Sequence, residues 1–459
     1  MILVLSILSV IYLILYFTGI PYDIEPSHFY TTNSIIYLIL TVWYMYKYKR
    51  ENIICFELLF SLSYWLCCFF AIFVLNDIDN YIVSQQLTFF STTMLCRSCI
   101  LCMIGYLFYL LGLCCGQKKK ICNVDFVIRQ NPLVNKLLNS MTTFFIILFF
   151  VLGGYTLYYS YDQTVTVNLL GGNRFGRFGT AMALSFILLN ISTISNLCTI
   201  DTSKCNSIWK FLKSLDIVYS FNMLVMSLFL LACGYRSGVM QIIIPFFVVL
   251  SLRKIIKTKT SILIIVMGLI LLALVGLLRS RTSSLGMIAE EMSIVLFFRD
   301  FFGANSAVPS LIEYVDVHGT ANFRNAINAI LAAIPFLQSI ISGVFGDDWI
   351  AISSSNLYTN EISQSFDSGM GTNIIGDLYY TGGFVCVIAL MFMLGCIIRK
   401  ISNSTNKYAL IVMACLVGNA VFMPRVEFFY ITQSCGFAII IYWIVNFLFP
   451  SHNPTHHKY

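Results

Sequence analysis

Arginine is the residue type of this sequence whose placement most suggests chemistry. Eight arginines lie in segments that contain no lysine: Arg174, Arg177, Arg236, Arg279, Arg281, Arg299, Arg324 and Arg425. The guanidinium group is planar and always charged, and it binds phosphate or carboxylate through two parallel hydrogen bonds. We therefore predict a site for an anionic group. The alternative is that these arginines pair with nearby carboxylates and only hold loops in place.

Three arginines lie where a charge is costly. Arg236 lies in the short segment GYRSG, and Arg425 in PRVE, where an ion pair with Glu427 is the alternative to a binding role. Arg97 lies inside a long apolar run, and a charge in the middle of a bilayer costs about 2.5–3.5 kcal/mol on insertion scales. We expect Arg97 to face protein or a water-filled cavity, with a structural ion partner as the alternative.

Carboxylates and one histidine in these lysine-free segments are candidates for accepting a proton. They are Glu290, Glu291, Asp300, Asp316, His318, Asp347, Asp348, Asp377 and Glu427. Imidazole can take up a proton near neutral pH, although a single loop histidine is often an ordinary surface residue. Most of the sixteen cysteines lie in apolar runs, where packing is the expected role. We predict no metal site and no cofactor.

Glycines punctuate a further segment, which has the pattern G-x-G-T-x-x-x-G-D-x-Y-x-x-G-G. Its members are Gly369, Gly371, Thr372, Gly376, Asp377, Tyr379, Gly382 and Gly383. Glycines at a helix start let backbone amides approach phosphate or sugar. A flexible hinge with close helix packing is the alternative role.

The segments between these residues are apolar, because 58% of the chain is hydrophobic and 11% is charged. A helix that crosses a bilayer needs roughly 20 mostly apolar residues. We predict an all-α polytopic membrane protein with about 12 transmembrane helices. The predicted spans are Ile2 to Phe17, Ile35 to Tyr46, Ile53 to Leu75, Leu87 to Cys115, Thr142 to Tyr159, Thr180 to Cys198, Ile217 to Cys233, Val239 to Leu252, Ile262 to Leu278, Ile374 to Ile398, Tyr408 to Met423 and Phe428 to Phe449.

Lysine fixes the predicted orientation, because basic residues accumulate in cytoplasmic loops. Every second loop carries a basic cluster, such as QKKK at residues 117–120 and RKIIKTK at 253–259. Both termini are therefore predicted to be cytoplasmic, and the lysine-free segments with their arginines lie on the opposite face.

The predicted organisation has three parts. Residues 1–278 form nine membrane helices, 279–372 one long periplasmic loop, and 373–459 three further helices with a cytoplasmic tail. The loop is expected to contain short amphipathic helices at Ser284 to Phe302 and Asn325 to Ile341, the second kinked at Pro335, which lie on the bilayer or cover a cavity.

This arrangement of helices, loop, arginines and glycine-rich run resembles the Wzy-type O-antigen and repeat-unit polysaccharide polymerases. The resemblance covers nearly the whole chain as topology, and Asp377 stands where glutamate is more usual. It implies an enzyme that transfers a growing glycan from undecaprenyl diphosphate to a lipid-linked repeat unit at the periplasmic face. It also implies membrane lipid and a chain-length regulator of the Wzz type as partners, and no nucleic acid.

The residues fit that chemistry without a metal, because arginine can stabilise a diphosphate leaving group. The working hypothesis is that Arg236, Arg279, Arg281 and Arg425 converge on the diphosphate beneath the long loop. Catalytic roles are predicted for Arg236, Arg281, His318 and Asp377. Substrate-binding roles are predicted for Arg97, Arg174, Arg177, Arg279, Arg299, Arg324, Gly371, Thr372, Tyr379, Arg425 and Glu427. An O-antigen ligase or a lipid-linked oligosaccharide flippase remains the alternative function.

Overall fold

The computed structural model describes residues 1–19, 25–48, 54–70, 90–115, 131–158, 173–200, 208–253, 255–257, 259–268, 294–334, 337–345, 353–362, 371–404 and 406–450. Every regular element in these ranges is helical, as the apolar runs predict. The helices are α1 (Ile2–Thr18), α2 (Pro26–Tyr48), α3 (Phe56–Cys68), α4 (Thr92–Cys114), α5 (Pro132–Val151), α6 (Asn173–Thr199), α7 (Ile208–Lys213), α8 (Ile217–Ala232), α9 (Arg236–Leu252), α10 (Lys259–Gly268), α11 (Ile294–His318), α12 (Arg324–Leu331), α13 (Leu337–Phe345), α14 (Ser354–Leu357), α15 (Ile374–Ser402), α16 (Lys407–Asn419) and α17 (Tyr430–Leu448). Short 3-10 turns lie at Gly154–Thr156 and Met423–Arg425, and a π turn at Tyr358–Ile362.

Five helical stretches among the described residues are long and apolar enough to cross a membrane. They are Thr92–Cys114, Pro132–Val151, Phe178–Thr199, Ile374–Ser402 and Tyr430–Leu448, and six shorter apolar helices accompany them. The first predicted span coincides with α1, whereas the second, Ile35 to Tyr46, forms only part of the longer α2. The count of twelve spans remains a prediction.

The segment predicted as a long loop contains a helix of 25 residues, α11. Its residues Ala304, Ala307, Leu311 and Ile312 are completely buried, and the helix packs against α3, α4 and α15. The helix predicted at Ser284 to Phe302 lies partly outside the described residues; α11 begins at Ile294, and its buried residues beyond Phe302 face protein. The helix predicted at Asn325 to Ile341 is two shorter ones, α12 and α13; Pro335, between them, lies outside the described residues. The division of the chain into membrane helices at 1–278, a long loop at 279–372 and further helices at 373–459 remains a prediction.

The chain divides into two compact units. Unit 1 comprises Met1–Lys120, Ser280–Asn403 and Ala420–Gln433, and unit 2 comprises Ile121–Arg279, Ser404–Asn419 and Ser434–Tyr459. In unit 1, tyrosine rings from α2, α3 and α4 pack together, with the centroids of Tyr37 and Tyr106 3.9 Å apart. Tyr37 Oη donates to Ser61 O and Tyr64 Oη to Cys102 O, each at 2.7 Å. These aromatic residues can therefore be buried because their hydroxyl groups have partners.

Glycines set the distance between α4 and α15 in unit 1. A Cβ atom on Gly112 would clash with the carbonyl oxygen of Phe392, and one on Gly395 with that of Tyr109. Small residues let the backbones of membrane helices approach closely. The two helices that carry Arg97 and Tyr379 are thus in direct backbone contact near their C-terminal ends.

In unit 2, buried asparagine side chains form hydrogen bonds between α5, α6 and α8. Asn196 Nδ2 donates to Asn139 Oδ1, and Asn222 Nδ2 to Asn139 O, both at 3.1 Å. Thr143 Oγ1 donates to Asn222 Oδ1 at 3.1 Å. Interhelical hydrogen bonds of this kind hold apolar helices together in a membrane.

The end of α6 in unit 2 is capped by an arginine. Arg253 is 4% exposed, and its Nη2 donates to the carbonyl oxygen of Ile200 at 2.6 Å while Nη1 donates to that of Leu197. A guanidinium group at a helix C-terminus satisfies free carbonyls and opposes the helix dipole. Burial of an arginine in this chain is therefore not by itself a sign of substrate binding.

Candidate functional site

Four side chains of unit 1 meet in a group that we call the arginine cluster: Arg97, Asp316, Tyr16 and Tyr379. Arg97 donates to both carboxylate oxygens of Asp316, from Nη1 to Oδ2 and from Nη2 to Oδ1, the latter at 3.2 Å. Nη2 also donates to Tyr379 Oη at 2.9 Å and to Tyr16 Oη at 3.3 Å. Arginine uses this two-point geometry to bind planar anions.

Each member of the arginine cluster lies near the end of a different helix. Arg97 is the sixth residue of α4 and Tyr379 the sixth of α15, while Asp316 and Tyr16 lie two residues before the ends of α11 and α1. Ser91 caps α4, because its Oγ accepts a hydrogen bond from Met94 N at 3.2 Å. The cap places Arg97 in the second turn of a helix, not in the interior of the run that the sequence predicts from Leu87 to Cys115.

Aromatic rings and partial exposure complete the cluster. The guanidinium carbon of Arg97 lies 5.5 Å from the ring centroid of Tyr16 and 6.0 Å from that of Tyr379, which adds cation–π attraction. Tyr16 in turn stacks on Phe384, with centroids 4.5 Å apart. The side chains of Arg97 and Asp316 are 31% and 37% exposed. A ligand from solvent can therefore reach both charges.

His318 lies at the C-terminal end of α11, two residues after Asp316. Its ring stacks on Tyr314 with centroids 4.3 Å apart, and its Nδ1 lies 3.1 Å from the carbonyl oxygen of Tyr314. The side chain is exposed. This geometry leaves the imidazole accessible, and its predicted catalytic role remains a prediction.

A second group, the carboxylate cluster, consists of Asp377, Asn325, Ser354 and Glu427. Asp377 is 1% exposed. Its Oδ1 accepts from Ser354 Oγ at 2.6 Å and from Asn325 Nδ2 at 3.4 Å, and its Oδ2 accepts from Phe428 N at 2.9 Å. Within the described residues no cationic side chain forms an ion pair with it. Asp377 thus joins three separate chain segments to the first turn of α15.

The carboxylate cluster also brings together two motifs of the sequence. Thr372 N donates to Arg425 O at 3.2 Å, so the glycine-rich run contacts the PRVE segment. Gly371 has a φ of +76°, and a Cβ there would lie 3.0 Å from the same oxygen. Glu427 Oε1 accepts from Ser355 N at 3.3 Å. An ion pair between Arg425 and Glu427 remains a prediction.

The remaining glycines of the run serve packing and shape. A Cβ on Gly376 would lie 2.8 Å from Leu311 Cδ1, so this glycine allows α11 to approach α15. At Gly382 and Gly383 the backbone leaves the helical conformation, and the carbonyl oxygen just before the break, that of Thr381, accepts from Phe323 N at 2.9 Å. The break therefore separates a short first segment of α15, which carries both clusters, from the rest of the helix.

Tyr358 connects the segment of Ser354 to α11. Its hydroxyl lies 2.7 Å from Ser306 Oγ. Burial raises the pKa of Tyr358 above the ordinary value for tyrosine, and hydrogen bonds from serine oppose that shift. The phenol is therefore neutral at physiological pH and acts as a structural anchor.

The other predicted site residues are distributed over both units. Arg324 is exposed on α12, and Arg236 begins α9 in unit 2 with Gly234 at a φ of +73° before it. Arg174, Arg177 and Arg299 belong to helices, but their side chains lie outside the described part of the structure, as do Arg279, Arg281 and Gly369 entirely. The convergence of Arg236, Arg279, Arg281 and Arg425 thus remains a prediction.

Three contributors to these clusters were not predicted from the sequence. Tyr16 lies 363 residues before Tyr379, and neither Asn325 nor Ser354 stands in a recognisable motif. Asp316 was only one of nine proton acceptors considered, and its pairing with Arg97 was not predicted. Tyrosine at the end of an apolar helix is a weak signal that could have drawn attention to Tyr16.

The family model described as O-antigen polysaccharide polymerase Wzy matches residues 1–451, which is nearly the whole chain. No curated protein matches the sequence, and no solved structure matches it.

Proposed function

Because the chain belongs to the O-antigen polysaccharide polymerase Wzy family, we propose that it transfers a growing glycan from undecaprenyl diphosphate to a lipid-linked repeat unit. It is a multi-pass membrane protein by family and by its apolar helices. In the proposed orientation both termini are in the cytoplasm, and the reaction takes place at the periplasmic face of the inner membrane. A chain-length regulator of the Wzz type is the proposed protein partner.

The observation that carries the proposed site is the guanidinium of Arg97, one third exposed, beside the hydroxyl groups of Tyr379 and Tyr16. The guanidinium is a preorganised hydrogen-bond donor at the surface of unit 1, and the two hydroxyl groups are held next to it. A diphosphate carries several oxygens with negative charge, and such donors stabilise it best when they are already in position. We assign diphosphate binding to this cluster.

In the proposed reaction the bond between the anomeric carbon of the glycan and the diphosphate oxygen breaks. The hydroxyl oxygen of the acceptor forms the new bond to that carbon, and undecaprenyl diphosphate leaves as an anion. Arg97 and Tyr379 stabilise the charge that develops on the leaving group. The hydroxyl proton passes to a base, for which we propose His318 because of its exposure at the end of α11.

Two other predicted site residues, Arg425 and Asp377, have secondary roles in this proposal. Arg425 lies on the segment that contacts Thr372, and we propose that it extends the anion site within unit 1. Asp377 was predicted as a catalytic residue. Its burial and its three hydrogen-bond donors favour a structural role instead, so we assign it to holding the segments around the site.

The test is complementation of a bacterial strain in which the native gene is deleted. Arg97→Ala should abolish the ladder of long O-antigen chains at a normal protein level in the membrane. The matched control is Lys400→Ala, which removes an exposed cation at the other end of α15 and should leave the ladder unchanged. A full ladder from Arg97→Ala would refute the assignment of the site.

The deletion strain itself tests the function. Loss of a polymerase leaves single repeat units attached to the lipid core, loss of a ligase leaves none, and loss of a flippase leaves repeat units on the cytoplasmic face. Single attached repeats are the expected result. Either of the other two patterns would overturn the proposed activity, whatever Arg97→Ala does.

A further inference from the structure

We propose that Asp316 occupies the anion-binding position of Arg97 in the substrate-free protein, so that the substrate's diphosphate must displace it. Asp316 is then an internal competitor that tunes the affinity of the site for its donor. This inference rests on the proposed function, because it takes the diphosphate of a lipid-linked glycan as the ligand.

The geometry of the pair supports this role. The carboxylate presents two oxygens to two nitrogens of the guanidinium, as a phosphate group would. Tyr379 Oη, which accepts from Arg97 at 2.9 Å, lies 3.4 Å from Asp316 Oδ1. A phosphate that replaced the carboxylate would therefore meet both the guanidinium and the tyrosine hydroxyl.

The pair is also able to exchange. Both side chains are about one third exposed, and exposed ion pairs contribute little to the stability of a protein. Asp316 lies two residues before the end of α11, and Gly319 follows that end with a φ of +84°. A diphosphate carries more negative charge than one carboxylate, so Coulomb attraction to Arg97 favours the exchange.

The neighbouring charges on α11 provide a matched control. Glu313 lies three residues before Asp316 on the same helix and is exposed, and within the described residues it forms no ion pair or hydrogen bond through its side chain. Glu313→Gln removes the same charge as Asp316→Asn from nearly the same place. Comparison of the two variants separates direct competition from a general change in electrostatic field.

The experiment uses the full-length protein purified in detergent, with inorganic pyrophosphate as the probe and calorimetric titration as the measurement. Asp316→Asn should bind pyrophosphate about 2- to 5-fold more tightly than the natural protein, the factor expected for removal of one half-exposed ion pair. Glu313→Gln should bind with unchanged affinity. Equal or weaker binding by Asp316→Asn would overturn the inference, as would an equal gain in both variants.

Two further variants complete the test. Asp316→Ser provides a second neutral side chain if Asp316→Asn fails to fold, and the same tightening is expected. Arg97→Ala should lose pyrophosphate binding. If Arg97→Ala loses pyrophosphate binding and neither Asp316 variant binds pyrophosphate more tightly, competition by Asp316 is refuted. The assignment of the anion site to Arg97 is then still supported. If Arg97→Ala binds as the natural protein does, both the site assignment and the competition are refuted.

Discussion

The arginine cluster and the carboxylate cluster are built on the same short segment of α15, yet the charged groups at their centres differ in exposure. Tyr379 points to a guanidinium that is one third exposed, whereas Asp377, two residues earlier, is 1% exposed. Successive positions of a helix differ by about 100°, so residues two apart lie on nearly opposite sides. The two clusters therefore face different surroundings although they share one short helical segment.

The difference in exposure between Arg97 and Asp377 indicates what each cluster can do. A buried carboxylate must keep every hydrogen bond, because each unsatisfied buried partner costs about 1–3 kcal/mol. A half-exposed ion pair can exchange its partner at little cost, because water compensates for the loss. The carboxylate cluster is thus suited to holding the site together and the arginine cluster to binding a substrate. Substitutions in the carboxylate cluster should therefore affect stability, and substitutions in the arginine cluster should affect activity.

The largest effect is expected from Asp377→Ala. It removes the acceptor of the backbone N–H of Phe428, and an unsatisfied buried donor costs about 1–3 kcal/mol. Ser354 and Asn325 each lose one acceptor and keep only Thr372 Oγ1 and Thr381 Oγ1, respectively. Protein level in the membrane should fall, and the thermal unfolding temperature in detergent should decrease, together with polymer formation. Glu361→Gln, at an exposed position, should change neither. A stable but inactive Asp377→Ala protein would instead support the catalytic role predicted from the sequence.

A smaller effect is expected from Arg97→Lys. The ammonium group keeps the charge, but it lacks the fork that contacts Asp316 and Tyr379 together. Polymer formation in membranes should decrease roughly 10-fold or more. Complete loss of one preorganised donor costs about 10²–10³ in rate, and the decrease should be smaller here because lysine keeps the charge. Protein level should remain normal, in contrast to Asp377→Ala. Full activity would show that charge alone is sufficient and that the two-point geometry has no role.

The smallest effect is expected from Tyr379→Phe. This change removes one hydroxyl group and keeps the ring, and a neutral hydrogen bond contributes about 0.5–1.5 kcal/mol. We expect a 2- to 10-fold loss of polymerisation rate and normal stability. Tyr155→Phe, at an exposed tyrosine of unit 2, is the matched control. A loss of stability in Tyr379→Phe would show that Tyr379 has a structural role, as we assign to the carboxylate cluster.

The sequence was sufficient to predict a helical membrane protein, because a run of apolar residues is a local property. It also identified Arg97 and Tyr379 as candidate substrate-binding residues, because one is a charge in an apolar run and the other is a polar residue in a glycine-rich segment. It did not predict their neighbours. The contact between Tyr16 and Tyr379 joins residues 363 positions apart, and such contacts depend on how helices pack.

Burial was the second property that the sequence did not reveal. Asp377 was predicted to be catalytic because of its motif, but the pattern of residues does not say which side of α15 faces Ser354 and Asn325. The sequence also left open whether the helix predicted at Ser284 to Phe302 lies on the bilayer or covers a cavity. In the structure α11 continues beyond Phe302 to His318, and Ala307 and Leu311 in that part are buried in unit 1.

The close approach of Gly112 to Gly395 affects the site from a distance. Arg97 stands fifteen residues before Gly112 along α4, about 23 Å of continuous helix. On α15 the break at Gly382 and Gly383 lies between Gly395 and Tyr379. A side chain added at Gly112 would press α4 away from α15 and shift the guanidinium of Arg97 relative to Tyr379, whose own short segment lies beyond the break.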